Sequence, residues 1–164
     1  MKDELYINGK DAWLTWGVYL EDGSEEKLLL PPPNKEYIEN KSRSQPGKQI
    51  ILRNPQPDER DVQVVFCISA RDRKDYMRKY RLFVNALKNG LIAFKVTSIY
   101  TVFQFTTTSF TNLSFFNRLG KLSVKFNEPN PSNRQSTLLT AYLLSTKGKT
   151  LISKSNKLLT KNIE

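Results

Sequence analysis

Hydrophobic and polar positions alternate most regularly over residues 61–70. Val62, Val64, Phe66 and Ile68 fall on one side and Gln63, Val65, Cys67 and Ser69 on the other, the period of a strand with one buried face. The period then changes. Tyr76, Met77, Tyr80, Phe83, Val84 and Leu87 recur at steps of three and four, which predicts a helix with one apolar stripe over about residues 72–89. Asp72 is its N-cap, Asp75 takes the capping-box position, and Asn89-Gly90 supplies the stop, because glycine adopts the left-handed conformation freely. β-rich stretches follow at residues 91–96 and 99–105. Further on, Leu122, Val124 and Phe126 alternate with Lys121, Ser123 and Lys125, a strand with one wet face.

The flanking segments carry weaker patterns. The first thirty residues read as short strands and turns: Leu5-Tyr6-Ile7 before Asn8-Gly9, the apolar group Trp13, Leu14 and Trp16, then Gly17–Leu20, with Glu21-Asp22-Gly23-Ser24 as a turn. Leu28-Leu29-Leu30 leads into Pro31-Pro32-Pro33, an extended segment that donates no backbone hydrogen bonds. Residues 35–47 are polar and turn-rich, residues 49–52 form a short strand, and Asn54-Pro55-Gln56-Pro57-Asp58 is a loop. Residues 106–117, rich in Thr, Ser, Asn and Phe, read as a loop or irregular strand edge, with Phe115 and Phe116 assigned to core filling rather than to a contact between subunits. Glu128-Pro129-Asn130-Pro131 is a firm boundary. One β domain with a single helix is therefore expected over residues 1–131, and a Lys-, Ser-, Thr- and Leu-rich tail over 132–164.

Charge adds an ambiguity. The chain carries 26 Lys and Arg against 16 Asp and Glu, a formal charge of +10, which invites a nucleic-acid partner. Half of that excess sits in the tail, where six basic residues face one Glu. The basic residues of the helix, Arg73, Lys74, Arg78, Lys79, Arg81 and Lys88, are read as an exposed flank, and contact with DNA as non-specific. No apolar run approaches the roughly 18 residues that span a bilayer, and no secretory leader is expected at the N-terminus. The lone Cys67, in an apolar strand, is a buried structural thiol suited to a reducing cytoplasm.

Catalytic chemistry is scarce. Histidine is absent, which removes the commonest general base and metal ligand. One cysteine cannot build a zinc site, and neither a P-loop nor a G-x-G-x-x-G motif occurs. Asp58-Glu59-Arg60-Asp61 is the nearest acidic cluster; at the start of a long strand it is read as edge protection and surface ion pairing rather than as a cation site. No catalytic, cofactor or metal residue is assigned, and no enzyme is expected.

Trp16-Gly17-Val18, then Ser42-Arg43 through Gly47-Lys48 before a short strand, then Asp58-Glu59-Arg60-Asp61 leading the long strand, follow one another in order. The helix ending at Asn89-Gly90, the paired strands after it and the strand closing at Glu128-Pro129-Asn130-Pro131 complete the series. Over roughly residues 10–131 this order and spacing resembles the distal tail proteins of long-tailed bacteriophages and their prophage relatives. The resemblance implies a mainly β, α+β fold: a β-sandwich or split barrel flanked by one helix and related to the tail tube. It implies a homo-oligomeric ring, six-fold in that family, between tail tube and baseplate hub. DNA would pass through the lumen and other tail proteins would bind the outer face, in a virion tail made in the bacterial host cytoplasm. The short basic tail departs from the family pattern.

Overall fold

A computed structural model describes residues 2–36, 38–40, 49–51 and 54–137. In chain order the described elements are β1 (Leu5–Ile7), β2 (Lys10–Asp11), α1 (Ala12–Trp16), β3 (Val18–Leu20), α2 (Ser24–Leu29), β4 (Ile38–Asn40), β5 (Gln49–Ile51), β6 (Arg60–Ser69), α3 (Arg73–Leu87), β7 (Leu91–Val96), β8 (Thr101–Phe116), β9 (Leu119–Glu128) and β10 (Gln135–Ser136). The main sheet is antiparallel and runs β2-β1-β7-β8-β9-β6-β3, with β10 also paired to β8, while β4 and β5 pair separately. The fold is thus mainly β with few helices, as expected. The segment 42–48 and the tail beyond Thr137 lie outside the described residues.

The sheet has one apolar face and curls to bury it. β6 and β7 stand three strand steps apart, about 14 Å in a flat sheet. The rings of Phe66 on β6 and Phe94 on β7 nevertheless meet edge to face at 5.9 Å, and both pack on Phe126 of β9 at 6.1 Å. Toward the two ends of the sheet, Leu5 of β1 and Leu20 of β3 line one cavity, and α1 packs on both strands. A single sheet closing on itself is the split-barrel form of the expected fold. α3 lies on its concave face: Phe83 packs on Phe66 at 5.1 Å and on Trp16 at 5.8 Å, and Tyr76, Phe83 and Leu87 are buried.

Three sequence expectations change. The first thirty residues hold two short helices rather than strands and turns alone. In α1 the Asp11 side chain accepts from the Leu14 amide at 2.7 Å, and Gly17, at φ 67°, closes the C-terminus. No side chain fits that glycine, since an added Cβ would lie 2.3 Å from the Ser69 carbonyl oxygen. α2 begins with Glu25 and Glu26 in its first turn, where carboxylates favour a helix N-terminus. Of the two readings of residues 106–117, the loop is wrong and the irregular strand edge holds: residues 106–116 are the outer, bulged half of β8, paired with β9 to its end. Along α3, Met77 is exposed whereas Lys79 is partly buried; Lys79 donates to the Ser69 carbonyl at 3.0 Å.

Two ion networks fix the chain where strands and helices meet. Asp72 caps α3 by accepting from the Asp75 amide at 2.8 Å. The Asp75 carboxylate does not reach back to Asp72; it accepts from Arg78 at 2.7 Å and from the Arg71 amide at 3.2 Å. Those hydrogen bonds, Arg78 foremost, with Lys79 nearby, hold its carboxyl at about 2 against an ordinary 3.8. At the opposite end of β6, Arg60 is buried rather than part of a surface cluster. It donates to Glu128 and to the carbonyls of Leu28 and Leu30, and Arg134 grips the same carboxylate at 2.7 and 2.8 Å. Burial works to raise the Glu128 pKa, and the two guanidiniums more than offset it, so the carboxyl stays lowered. This knot ties β6, β9, α2 and the segment beyond Pro131 together, with the Phe103 ring beneath both guanidiniums at 5.9 and 5.2 Å.

Two outcomes are expected. Glu128→Ala strands the buried Arg60 charge and should destabilise the fold by about 3–5 kcal/mol, measured by urea unfolding; a loss under about 1 kcal/mol would place the knot outside the stabilising core. As pH falls below about 4 the unfolded chain takes up a proton on Asp75 before the folded chain does. The stability that Asp75 supplies is therefore present above about pH 4 and disappears toward pH 2. Asp75→Asn should flatten the loss of urea midpoint between pH 4 and 2 relative to the unaltered chain, leaving the part due to Glu128.

Candidate functional site

β8 is longer than its neighbours require. β7 pairs with it only from Thr101 to Thr106, whereas β9 follows it from Thr106 to Phe116. From Thr107 onward the outer edge of β8 therefore has no strand partner among the described residues. This edge reads Thr-Thr-Ser-Phe-Thr-Asn-Leu-Ser-Phe-Phe, with neither charge nor proline. Those are the residue types that natural edges use to repel other strands.

Register explains how its side chains sort. Phe110, Leu113 and Phe115 stand opposite Val124, Leu122 and Gly120 of β9, which in turn face Val64, Phe66 and Ile68 of β6. They therefore continue the core face of the sheet. The steps between them are uneven because the pairing shifts between Thr107 and Ser109 and again between Phe110 and Asn112, each shift inserting one unpaired residue. α3 covers this row only in part. Tyr76 packs on Phe115 with ring centroids 4.4 Å apart, Arg73 sits over Phe115 at 5.7 Å, and Lys88 lies over Phe110 at 6.0 Å. Phe110 and Phe115 keep 36% of their surface exposed and Leu113 45%. Where β7 begins, a cavity of about 210 Å³ between Leu87, Lys88, Thr107 and Phe110 prolongs the open edge.

The tip of the hairpin turns outward. Asn117, at φ 53°, makes the left-handed bend that Asn tolerates better than most residues. Phe116 is 85% exposed and Leu119 49%, so the core role expected for Phe116 is wrong, and Phe115 fills the core only on its Tyr76 side. A cavity of about 240 Å³ on the outer face is lined by Phe116, Leu119, Tyr19, Cys67 and Lys121. Burial first of all pushes the Cys67 thiol up, which keeps it protonated and weakly nucleophilic.

In the acidic run at the start of β6, Glu59 and Asp61 both accept from the Asn127 side-chain amide at 3.2 Å, while its other members point elsewhere. Asp58 accepts from the Glu59 amide, Asp61 pairs with Lys125 at 2.7 Å and with Asn127, and Arg60 joins the buried knot. Among the described residues no three His, Cys, Asp or Glu side chains gather to hold a metal ion, and no helix is long and apolar enough to cross a membrane.

No protein-family model and no curated protein matches the sequence. Among solved structures the fold is similar to the Dit protein (gp 19.1) of phage SPP1, described as a paradigm of the hub adsorption apparatus in phages infecting Gram-positive bacteria. The TM-score is 0.57 at 11% sequence identity over 78% of this chain. The chain spans half the length of that protein. A phage distal-tail-like fold is thus supported by a structural neighbour.

The tip also generates a test. At Gly120 an added Cβ would lie 2.1 Å from the Tyr76 hydroxyl and 2.9 Å from the Ser114 carbonyl oxygen, and that hydroxyl is buried without a hydrogen-bond partner among the described residues. Gly120→Ala should cost about 1–3 kcal/mol by overpacking. Tyr76→Phe alone should change stability by less than about 1 kcal/mol, and the double variant should lose less than the sum. Strict additivity in chemical denaturation would show that the ring does not rest on this glycine.

Proposed function

We propose that this chain is a structural subunit of a phage or prophage tail that self-associates into a ring at the junction of distal tail and baseplate and holds other tail proteins there. The open, uncharged edge of β8, with its half-covered aromatic row, carries this reading. Such an edge offers backbone donors and acceptors and apolar area together, the two components of strand-mediated association. The likeness in fold to the SPP1 hub protein supports the same reading. A closed ring needs two different surfaces on each subunit, related by a rotation that closes. The domain runs past the boundary expected at Pro131, since Arg134 holds the buried Glu128 and β10 pairs with β8.

Light scattering on the full chain across a concentration series, with electron microscopy of the largest species, tests this. Discrete rings are expected, alone or with a neighbouring tail protein. A strict monomer at the highest concentration that also binds no other tail protein would defeat the proposal. The alternative, a basic nucleic-acid-binding module, draws on the exposed Arg73, Lys74 and Arg81 of α3 and Lys88 at its C-terminal cap. It requires duplex-DNA binding that weakens steeply with salt; no measurable binding at low salt removes it.

A further inference from the structure

The two sides of the barrel carry opposite chemistry. β8 stands opposite the seam between β1 and β3: one route round the sheet passes through β7 and β1, the other through β9, β6 and β3. On the β8 side the charged groups that lie over the apolar row are cationic. Arg73 and Lys88 lie over Phe115 and Phe110. Arg81, also exposed, stands four residues from Met77 and seven from Lys88, on the same flank of α3. The one buried carboxylate of that helix, Asp75, is engaged by Arg78 and Lys79.

The seam is the reverse. A cavity of about 270 Å³ opens there between Leu5 and Leu20, with Glu4, Asp22 and Glu25 on its walls. Glu25 is oriented by the Ser98 hydroxyl at 2.8 Å. Glu26 is exposed beside it, Lys27 is the one cation of α2, and the helix runs out into Leu29 and Leu30, each 61% exposed. Each side therefore combines exposed apolar area with charge, and the charges are of opposite sign.

Building on the assembly reading, we infer that the second copy in that assembly docks head to tail. The basic flank of α3 and the apolar row of β8 in one copy sit on the acidic seam and the Leu29-Leu30 end of α2 in the next. A self-complementary dimer through either side would set like charges against each other, whereas alternation of the two sides pairs them. The charges choose the partner and its orientation, and the apolar groups supply the buried area. Because the two surfaces differ and lie on opposite sides of the barrel, each copy retains one free surface after docking, as growth toward a ring requires.

The test reverses charges on each side of the full-length chain. Arg81→Glu with Lys88→Glu alters the basic flank, and Asp22→Lys with Glu25→Lys alters the seam. Each pair should weaken self-association, measured by analytical ultracentrifugation, by about tenfold or more, the loss expected when close interfacial charge pairs are broken. In a mixture of the two variants each flank meets a seam of opposite charge, so the mixture should associate where neither variant does alone. The chain carrying all four changes has both surfaces reversed and should regain association. Circular dichroism and thermal melting check that each variant folds. If the unaltered chain assembles and neither reversal weakens it, or the fourfold chain fails to recover although folded, this interface is wrong and the ring reading stands. If the unaltered chain is a strict monomer with and without a tail partner, both fall.

Discussion

A lone sheet with one apolar face has nothing to lay that face against except itself. That constraint governs this fold. Phe66, Phe94, Phe105 and Phe126 come from four strands and their rings meet at 5.6–6.1 Å; the 5.9 Å contact of Phe66 with Phe94, three strand steps apart, requires a strongly curled sheet. Aromatic side chains suit the task because they reach far into the interior and gain from edge-to-face contact as well as from burial. α3 then fills the concavity that smaller side chains would leave empty, with Phe83 closing onto Phe66 and Trp16.

Curling settles where the molecule stays open. β3 at one end of the sheet and β1, one strand in from the other, come close without forming a hydrogen-bonded ladder, with α1 packed on both and Glu25 of α2 beside the gap. On the far side β7 ends its pairing with β8 at Thr106 because the chain arrives there from α3, whose end holds Thr107 through the Leu87 carbonyl at 2.6 Å. The helix that completes the core thus limits how far β7 can accompany β8. The free edge follows from the way the core is closed. It is also held firmly, since β8 is anchored to β9 along its whole outer half and Phe115 is clamped by Tyr76.

The parts legible in the sequence were those whose period stays intact within a short window. β6 and β9 alternate without interruption, and α3 shows a stripe between a capping Asp72 and a terminating Gly90. The outer half of β8 was legible only as a loop or an irregular strand edge, and for a definite reason. Each of its two bulges inserts a residue and reverses the alternation, so Phe110 and Phe115 share a face although a simple period of two puts them on opposite faces. α1 and α2 are too short for a helical period to accumulate. Their signals were Asp11 three residues before Leu14 with Gly17 after the last turn, and Glu25-Glu26 at the start of a turn-like segment. The partnership of Arg60 with Glu128 joins residues far apart in sequence, and no local pattern distinguishes a buried guanidinium from the surface ion pairing that Asp58-Glu59-Arg60-Asp61 suggests. The free edge itself depends on where a neighbouring strand stops, which is a property of topology rather than of any segment.

The bulges bear on what the edge can accept. A regular uncharged edge would pair with almost any extended chain, and charges or prolines are the usual protection. Here neither is present, but the register shifts at Thr107/Ser109 and Phe110/Asn112 interrupt the even spacing of donors and acceptors that a generic strand requires, and they strengthen the local twist. Arg73 and Lys88, held over the rings they flank, set the sign of charge beside the edge. An incoming surface must therefore match an irregular backbone, a row of three apolar side chains and a cationic border at once. Under the proposed association, the coincidence of those three requirements would confer selectivity, so the edge can stay open without being indiscriminate.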